Sequence, residues 1–153
     1  MASSTQAPPP PLLLLPSTTL SLLLLLLLLL LASDPHGAAA APNTAALSVL
    51  CNGASYGAGD PFAASLAYVL SELVSAAPAA RAGGSGFYDI SPYPTAFAYG
   101  HAACRAALPA ADDCAACLRS AVSQMEATCG HSVGARAVLV DCSVRYEQYA
   151  FVD

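Results

Sequence analysis

The chain contains neither tryptophan nor lysine, and charged residues make up only 10% of its 153 positions. Five dispersed arginines face ten acidic residues, giving a net charge of −5. That balance cannot build the clustered cationic surface that tracks a phosphate backbone, which argues against nucleic acid as a partner. Without tryptophan, the strongest ring for stacking is missing. There is no Asn-x-Ser/Thr acceptor, since Asn43-Thr-Ala and Asn52-Gly-Ala both fail, so N-glycosylation is not expected. The glycines of Arg81-Ala-Gly-Gly-Ser-Gly86 mark a loop and lack the spacing of a phosphate cradle. His101, His131 and Asp141 could be combined on paper into an acid/base set, but no nucleophile elbow or metal-ligand spacing accompanies them. We expect no catalytic residues, no metal and no cofactor.

Leucine is what the chain has in excess. Leu20 to Ala32 is almost pure leucine, short for a membrane span and followed by the small residues Gly37 to Ala41. This pattern predicts a signal peptide over residues 1–40, cut near Ala39 or Ala40, and a mature domain over 41–153. Counting back to Leu12 lengthens the apolar run enough for an uncleaved anchor, interrupted by Pro16 and the Ser-Thr-Thr cluster. A membrane enters only on that alternative. Asp34 is the sole charge in the leader, so the mature domain carries −4, five arginines against nine acids. No second domain, membrane helix or kinase follows before Asp153, and the expected form is a free, secreted, extracellular domain.

All six cysteines lie after the leader. An even number in an oxidising compartment predicts three disulfides, each contributing about 2–4 kcal/mol in a domain with a small core. All fifteen pairings remain open from the spacing alone. A redox Cys-x-x-Cys pair would need a βαβ setting, and a zinc site of four cysteines would need a second close pair.

Periodicity places the elements. Ala46 to Cys51 reads as a short strand followed by the turn pair Asn52-Gly53. Asp60-Pro61 opens a helix whose apolar positions Phe62, Leu66, Val69, Leu70, Leu73 and Val74 hold helical spacing until Ala77-Pro78 ends it. Phe87 to Pro94 and Thr95 to Cys104 read as two strands of a hairpin. Asp112 and Asp113 are expected to cap a second helix, with Cys114, Cys117, Leu118, Ala121, Val122, Met125 and Cys129 on one face and Gly130 as its stop. Ala135 to Tyr146 reads as one long strand with Val138, Val140, Cys142 and Val144 sharing a face. The predicted fold class is α+β, two helices on one face of an antiparallel sheet.

Four stretches together, Tyr99-Gly-His-Ala-Ala-Cys104, Asp113-Cys-Ala-Ala-Cys-Leu118, Gly134 to Cys142 and Tyr146-Glu-Gln148, closely resemble the plant ginkbilobin-homologous domain, also called the salt-stress-response/antifungal domain. The resemblance covers Leu47 to Phe151. The chain departs from the family's C-x8-C-x2-C pattern by carrying nine residues between Cys104 and Cys114, an insertion a loop absorbs at little cost. The resemblance implies a five-stranded sheet with two helices and bridges Cys51 to Cys129, Cys104 to Cys114 and Cys117 to Cys142. It also implies a mannose site at Asn52, Arg136 and Glu147.

The residue types suit that ligand. A sugar hydroxyl both donates and accepts, an Arg fork donates, a carboxylate accepts and an Asn amide does both. The blander reading makes Asn52 a turn residue and Arg136 and Glu147 an exposed ion pair, worth ~0–1 kcal/mol. On one unbroken strand Arg136 and Glu147 would point to opposite faces, so a bulge or turn near Asp141-Cys-Ser is required. Tyr93, Tyr99, Tyr146, Tyr149 and Phe151 read as sheet and core residues before they read as a stacking platform. The functional expectation is a mannose-binding, lectin-like antifungal protein whose partner is a mannan-type glycan of the fungal wall. The alternative is an extracellular protein-interaction module that uses no sugar.

Overall fold

The computed structural model describes residues 21–26, 41–80 and 86–153. The chain divides into two units, Met1–Ala38 and Ala39–Asp153. In the first, residues 21–26 are helical with their leucines exposed. The cleavage region predicted at Gly37 to Ala40 lies outside the described residues, as do positions 81–85 of the glycine-rich loop.

In the second unit the order of elements is β1 (Ala46–Cys51), α1 (Phe62–Ala80), β2 (Phe87–Ile90), β3 (Tyr99–Cys104), α2 (Ala111–Cys129), β4 (Ala135–Leu139) and β5 (Cys142–Glu147). The strands form one sheet in the order β1-β4-β5-β3-β2, antiparallel throughout. Both helices cover its inner face. Phe62, Val69 and Leu73 of α1, with Leu118, Ala121 and Met125 of α2, are buried against the small residues Ala102, Ala135 and Ala137 and against Val144. The bulk comes from the helices, and the sheet supplies room for it. Gly100 shows why: a Cβ there would run into Val69 and Leu73. Gly100→Ala is therefore expected to cost about 1–3 kcal/mol by overpacking, read as a lower midpoint in denaturant.

Helix ends follow local chemistry in part. Asp60 Oδ1 accepts the Phe62 N–H at 2.9 Å, as a cap should. Gly130, at φ 52°, ends α2 and donates its N–H to Glu126 O at 3.1 Å. Two expectations are corrected. Pro78 does not end α1 but lies buried in its last turn, where the helix continues only to Ala80 and few hydrogen bonds remain to be lost. Asp112 and Asp113 are not caps either: Ala110 holds the cap position without a side-chain bond, and the two carboxylates sit in the first turn, where the helix dipole favours negative charge.

The largest correction concerns the long strand. Ala135 to Tyr146 is two strands, β4 and β5, folded back on each other through Val140 and Asp141. The inner face therefore takes Ala135, Ala137 and Leu139 from β4 but Cys142, Val144 and Tyr146 from β5. Val138 lies opposite Ser143, and Val140 is in the turn. The predicted flanking strands are also shorter, because Pro92 and Pro94 interrupt the chain between Ile90 and Tyr99.

Three disulfides staple the layers, with Cys51–Cys129, Cys104–Cys114 and Cys117–Cys142 joined at S–S distances of 2.04, 2.02 and 2.09 Å. These are the pairs the resemblance implies. They tie edge strand β1 to the end of α2, close the loop before α2, and tie α2 to β5.

Candidate functional site

The β4–β5 turn decides the site. Folding at Val140–Asp141 sets Arg136 directly opposite Arg145, so both guanidinium groups stand on the outer face of the sheet. Glu147, two residues beyond Arg145, shares that face, because alternate residues of a strand point the same way. It lies over Gly134, where a Cβ would collide with its carboxylate. The turn thus removes the parity conflict between positions 136 and 147.

Asn52 arrives from the other side. Its N–H donates to Gly134 O at 2.7 Å, fixing the end of β1 to the entry of β4. Its side-chain carbonyl accepts the Ala54 N–H at 3.2 Å, so the turn reading is also correct. The amide NH2 is not used in that turn. Behind it, the Ser132 hydroxyl donates within reach of Asn52 O at 2.6 Å and Gly134 O at 2.8 Å, and Tyr146 Oη donates to Ser132 O at 3.0 Å. Burial pushes the Tyr146 phenol up to about 12, with the carboxylates of Glu147 and Glu126 adding to the shift, so it stays a neutral donor at any physiological pH.

Asn52, Arg136 and Glu147 line one cleft of about 320 Å³, together with Leu50, Gly134 and Arg145. Arg145 was not among the residues predicted. Its Nε and Nη2 donate to Glu147 Oε1 at 3.2 and 3.1 Å, so the partner of Glu147 is Arg145, not Arg136. Glu147 is 8% exposed, and its Oε2 is buried with no hydrogen-bond partner. The Arg136 side chain is 45% exposed, and the ion pair found for it, to Asp153, is long at 3.9 Å. The cleft is therefore lined by the Glu147 carboxylate, an accessible donor fork on Arg136 and an amide on Asn52. Two neighbouring hydroxyls, each able to donate and accept, match that set.

The last residues cross the same face. Asp153 accepts from Arg145 Nη1 at 2.9 Å and meets His101 Nδ1 at 2.8 Å, and its N–H donates to Tyr88 Oη at 2.9 Å. The Phe151 ring lies 4.1 Å from the Arg145 guanidinium carbon. Burial works to raise the Asp153 pKa, but the bonds from Arg145 and His101 and the charge of Arg136 outweigh it and hold it below the ordinary value of 3.8. For Arg145, burial works to lower the pKa, but the bonds to Asp153 and Glu147 outweigh it and hold it above its ordinary value. A depressed carboxyl stabilises the fold above its unfolded pKa and loses that contribution as pH falls through the folded value. Asp153→Asn is thus expected to lower stability at pH 7 and to flatten the loss of stability below pH 3.8, a difference that melts recorded between pH 7 and 2 will resolve.

The paper set of His101, His131 and Asp141 is dispersed. His101 is on the outer face of β3, His131 packs its ring 5.1 Å from Tyr56 after α2, and Asp141 in the turn bonds Asn43 N and Arg105. Among the described residues no cluster of His, Cys, Asp and Glu has the arrangement of a metal site.

The pattern defining the family described as "Salt stress response/antifungal" matches residues 50–149. The chain is 37% identical over 122 residues to "Antifungal protein ginkbilobin-like protein 1" of Picea glauca, covering 75% of this chain and 80% of that protein. It is 36% identical over 118 residues to "Antifungal protein ginkbilobin-2" of Ginkgo biloba, covering 72% of this chain and 81% of that one. Its fold is similar to the tandem DUF26 ectodomain of the Arabidopsis thaliana cysteine-rich receptor-like protein PDLP5, with a TM-score of 0.60 and 24% identity over 70% of this chain. The chain spans about half of that ectodomain, 51%.

Proposed function

Since the chain belongs to the salt stress response/antifungal family, we propose that it is a secreted, lectin-like antifungal protein that binds mannose and mannan-type glycans through Asn52, Arg136 and Glu147. The leader over residues 1–40 would be removed on export, and the domain over 41–153 would act in the plant apoplast on the fungal wall. One observation carries the reading: Asn52, Arg136 and Glu147, brought from three places in the sequence, line one cleft. Arg136 and Asn52 supply donors at the same cleft.

A shallow polar cleft of this size binds one monosaccharide weakly, at ~1 mM or about −4 kcal/mol. Avidity on a branched mannan then makes the interaction useful. The test is titration of the protein, secreted from the full chain, with mannose and mannan by calorimetry. Glu147→Gln and Arg136→Ala are expected to remove the heat of mannose binding while leaving the fold intact by circular dichroism. A folded protein that gives no sugar-dependent signal up to tens of millimolar, roughly ten times that weak affinity, overturns the lectin reading in favour of a protein-interaction module. N-terminal sequencing of the secreted product separates cleavage near Ala41 from a retained anchor.

A further inference from the structure

The outer face of the sheet carries a second cleft, of about 260 Å³, lined by Tyr88, Asp89, Ile90, Tyr99, Gly100 and Phe151. It is mostly apolar, where the first mixes polar and apolar groups. Register connects the two. Glu147 of β5 is the direct partner of Tyr99 on β3, and Tyr99 is the direct partner of Ile90 on β2. The adjacent row runs Arg136, Arg145, His101, Tyr88. Walking across the strands from the mannose cleft thus leads from guanidinium and carboxylate groups straight onto aromatic rings. Two strand spacings, roughly 10 Å, separate Glu147 from Ile90. Phe151 joins the clefts, since it lines the apolar one while its ring lies against Arg145 of the polar one.

Tyr88 and Ile90 are each 46% exposed, on a face that an isolated soluble domain would be expected to cover with polar side chains. Tyr88 is held in place by stacking on His101, with ring centroids 4.1 Å apart, and by the Asp153 N–H on its hydroxyl. It is a fixed ring, so a ligand laid against it loses little protein entropy. A pyranose has an apolar face of C–H groups and a rim of hydroxyls, the shape an aromatic shelf with polar edges accommodates.

We propose that this aromatic cleft is a second subsite for the same glycan, so that the protein reads a di- to trisaccharide with one unit in the polar cleft and the following unit or units on Tyr99, Ile90 and Tyr88. This rests on the proposed mannose site, and it extends that site from a monosaccharide to a chain. Its occupant is the neighbouring sugar of a bound glycan, since Glu147 of the first cleft and Tyr99 of the second are direct cross-strand partners, while the chain end crosses the parallel row at Arg145 and His101.

The test is calorimetry of the protein secreted from the full chain with mannose, mannobiose and mannotriose, for the wild type, Tyr99→Ala and Ile90→Ser. The wild type is expected to bind mannotriose ~3–10-fold more tightly than mannose, the worth of one aromatic stack. Tyr99→Ala should remove that increment and leave mannose affinity within about twofold. Ile90→Ser, on the exposed edge strand, should reduce the same increment and serves if Tyr99→Ala does not fold. Equal affinities for mannose and mannotriose in the wild type, or variants that weaken both sugars alike, overturn the second subsite and leave the mannose site standing. Absence of binding to any of the three sugars overturns both.

Discussion

Replacing Cys51 and Cys129 together by alanine is expected to lower the unfolding free energy by about 4.5 kcal/mol, the loop-closure entropy that a bridge spanning this much chain removes from the unfolded state. The two cysteines are 78 residues apart in sequence, against 25 for Cys117–Cys142 and 10 for Cys104–Cys114. On chain entropy alone the shortest bridge is worth about 2.7 kcal/mol, so the three double variants should rank by loop length. The local consequence is sharper still. β1 is an edge strand paired to β4, with Leu47 and Leu50 exposed, and Cys51 ties it to the end of α2. Freed of the bridge, β1 should fray first, taking Asn52 away from Gly134. Guanidinium denaturation gives the global number, and hydrogen exchange at Ser48 and Leu50, whose N–H groups share the parity of Asn52 and face β4, gives the local one. A variant in which these amides stay protected while the midpoint falls contradicts the fraying.

The second large effect comes from one methyl group. Gly134→Ala places a Cβ into the carboxylate of Glu147, which Arg145 holds from the other side. The carboxylate must shift, and its pair with Arg145 shifts with it. Mannose affinity is expected to fall at least tenfold, about 1.4 kcal/mol, with a loss of stability of about 1–3 kcal/mol. No sugar-contacting group is deleted, so the change tests the position of Glu147 and not its chemistry. Gly53→Ala is the control: it sits beside Asn52, and a Cβ there meets nothing within 4 Å. Calorimetry with mannose on both variants, with melts to confirm folding, separates the outcomes. Unchanged affinity in Gly134→Ala would remove Glu147 from the site.

Why the helices were legible and the hairpin was not is a matter of where each gets its hydrogen bonds. Phe62 to Leu73 and Cys114 to Met125 announce themselves by spacing, because a helix satisfies its own backbone and shows one apolar face. The β4–β5 turn does not satisfy itself. Val140 N–H donates to Ala45 O and Asp141 N–H to Asn43 O, both from the segment leading into β1, while the Asp141 carboxylate takes the Asn43 N–H and Arg105. Partners almost a hundred residues away leave no local mark, and Ala-Val-Leu-Val-Asp-Cys reads as a continuous strand. The site inherited the same blindness. Asn52, Arg136 and Glu147 were reachable through the family resemblance, but Arg145 becomes visible only once the turn sets it opposite Arg136. The tail was equally silent, since nothing in Ala-Phe-Val-Asp foretells that Asp153 meets His101 and Arg145.

The overlapping order of two bridges has a mechanical consequence. Suppose the domain is pulled by residues flanking Cys51 and Cys142. With Cys51–Cys129 and Cys117–Cys142 intact, tension runs across the first bridge and then along two parallel routes, the thirteen residue steps from 129 to 142 and the twelve back from 129 to 117 and across the second. Even fully unfolded, either route lengthens to about 50 Å, whereas the reduced chain of 91 steps between 51 and 142 reaches about 300 Å. Oxidised, the domain behaves as a short, stiff link that transmits force instead of yielding to it; a reductant converts the same polypeptide into a long, slack tether.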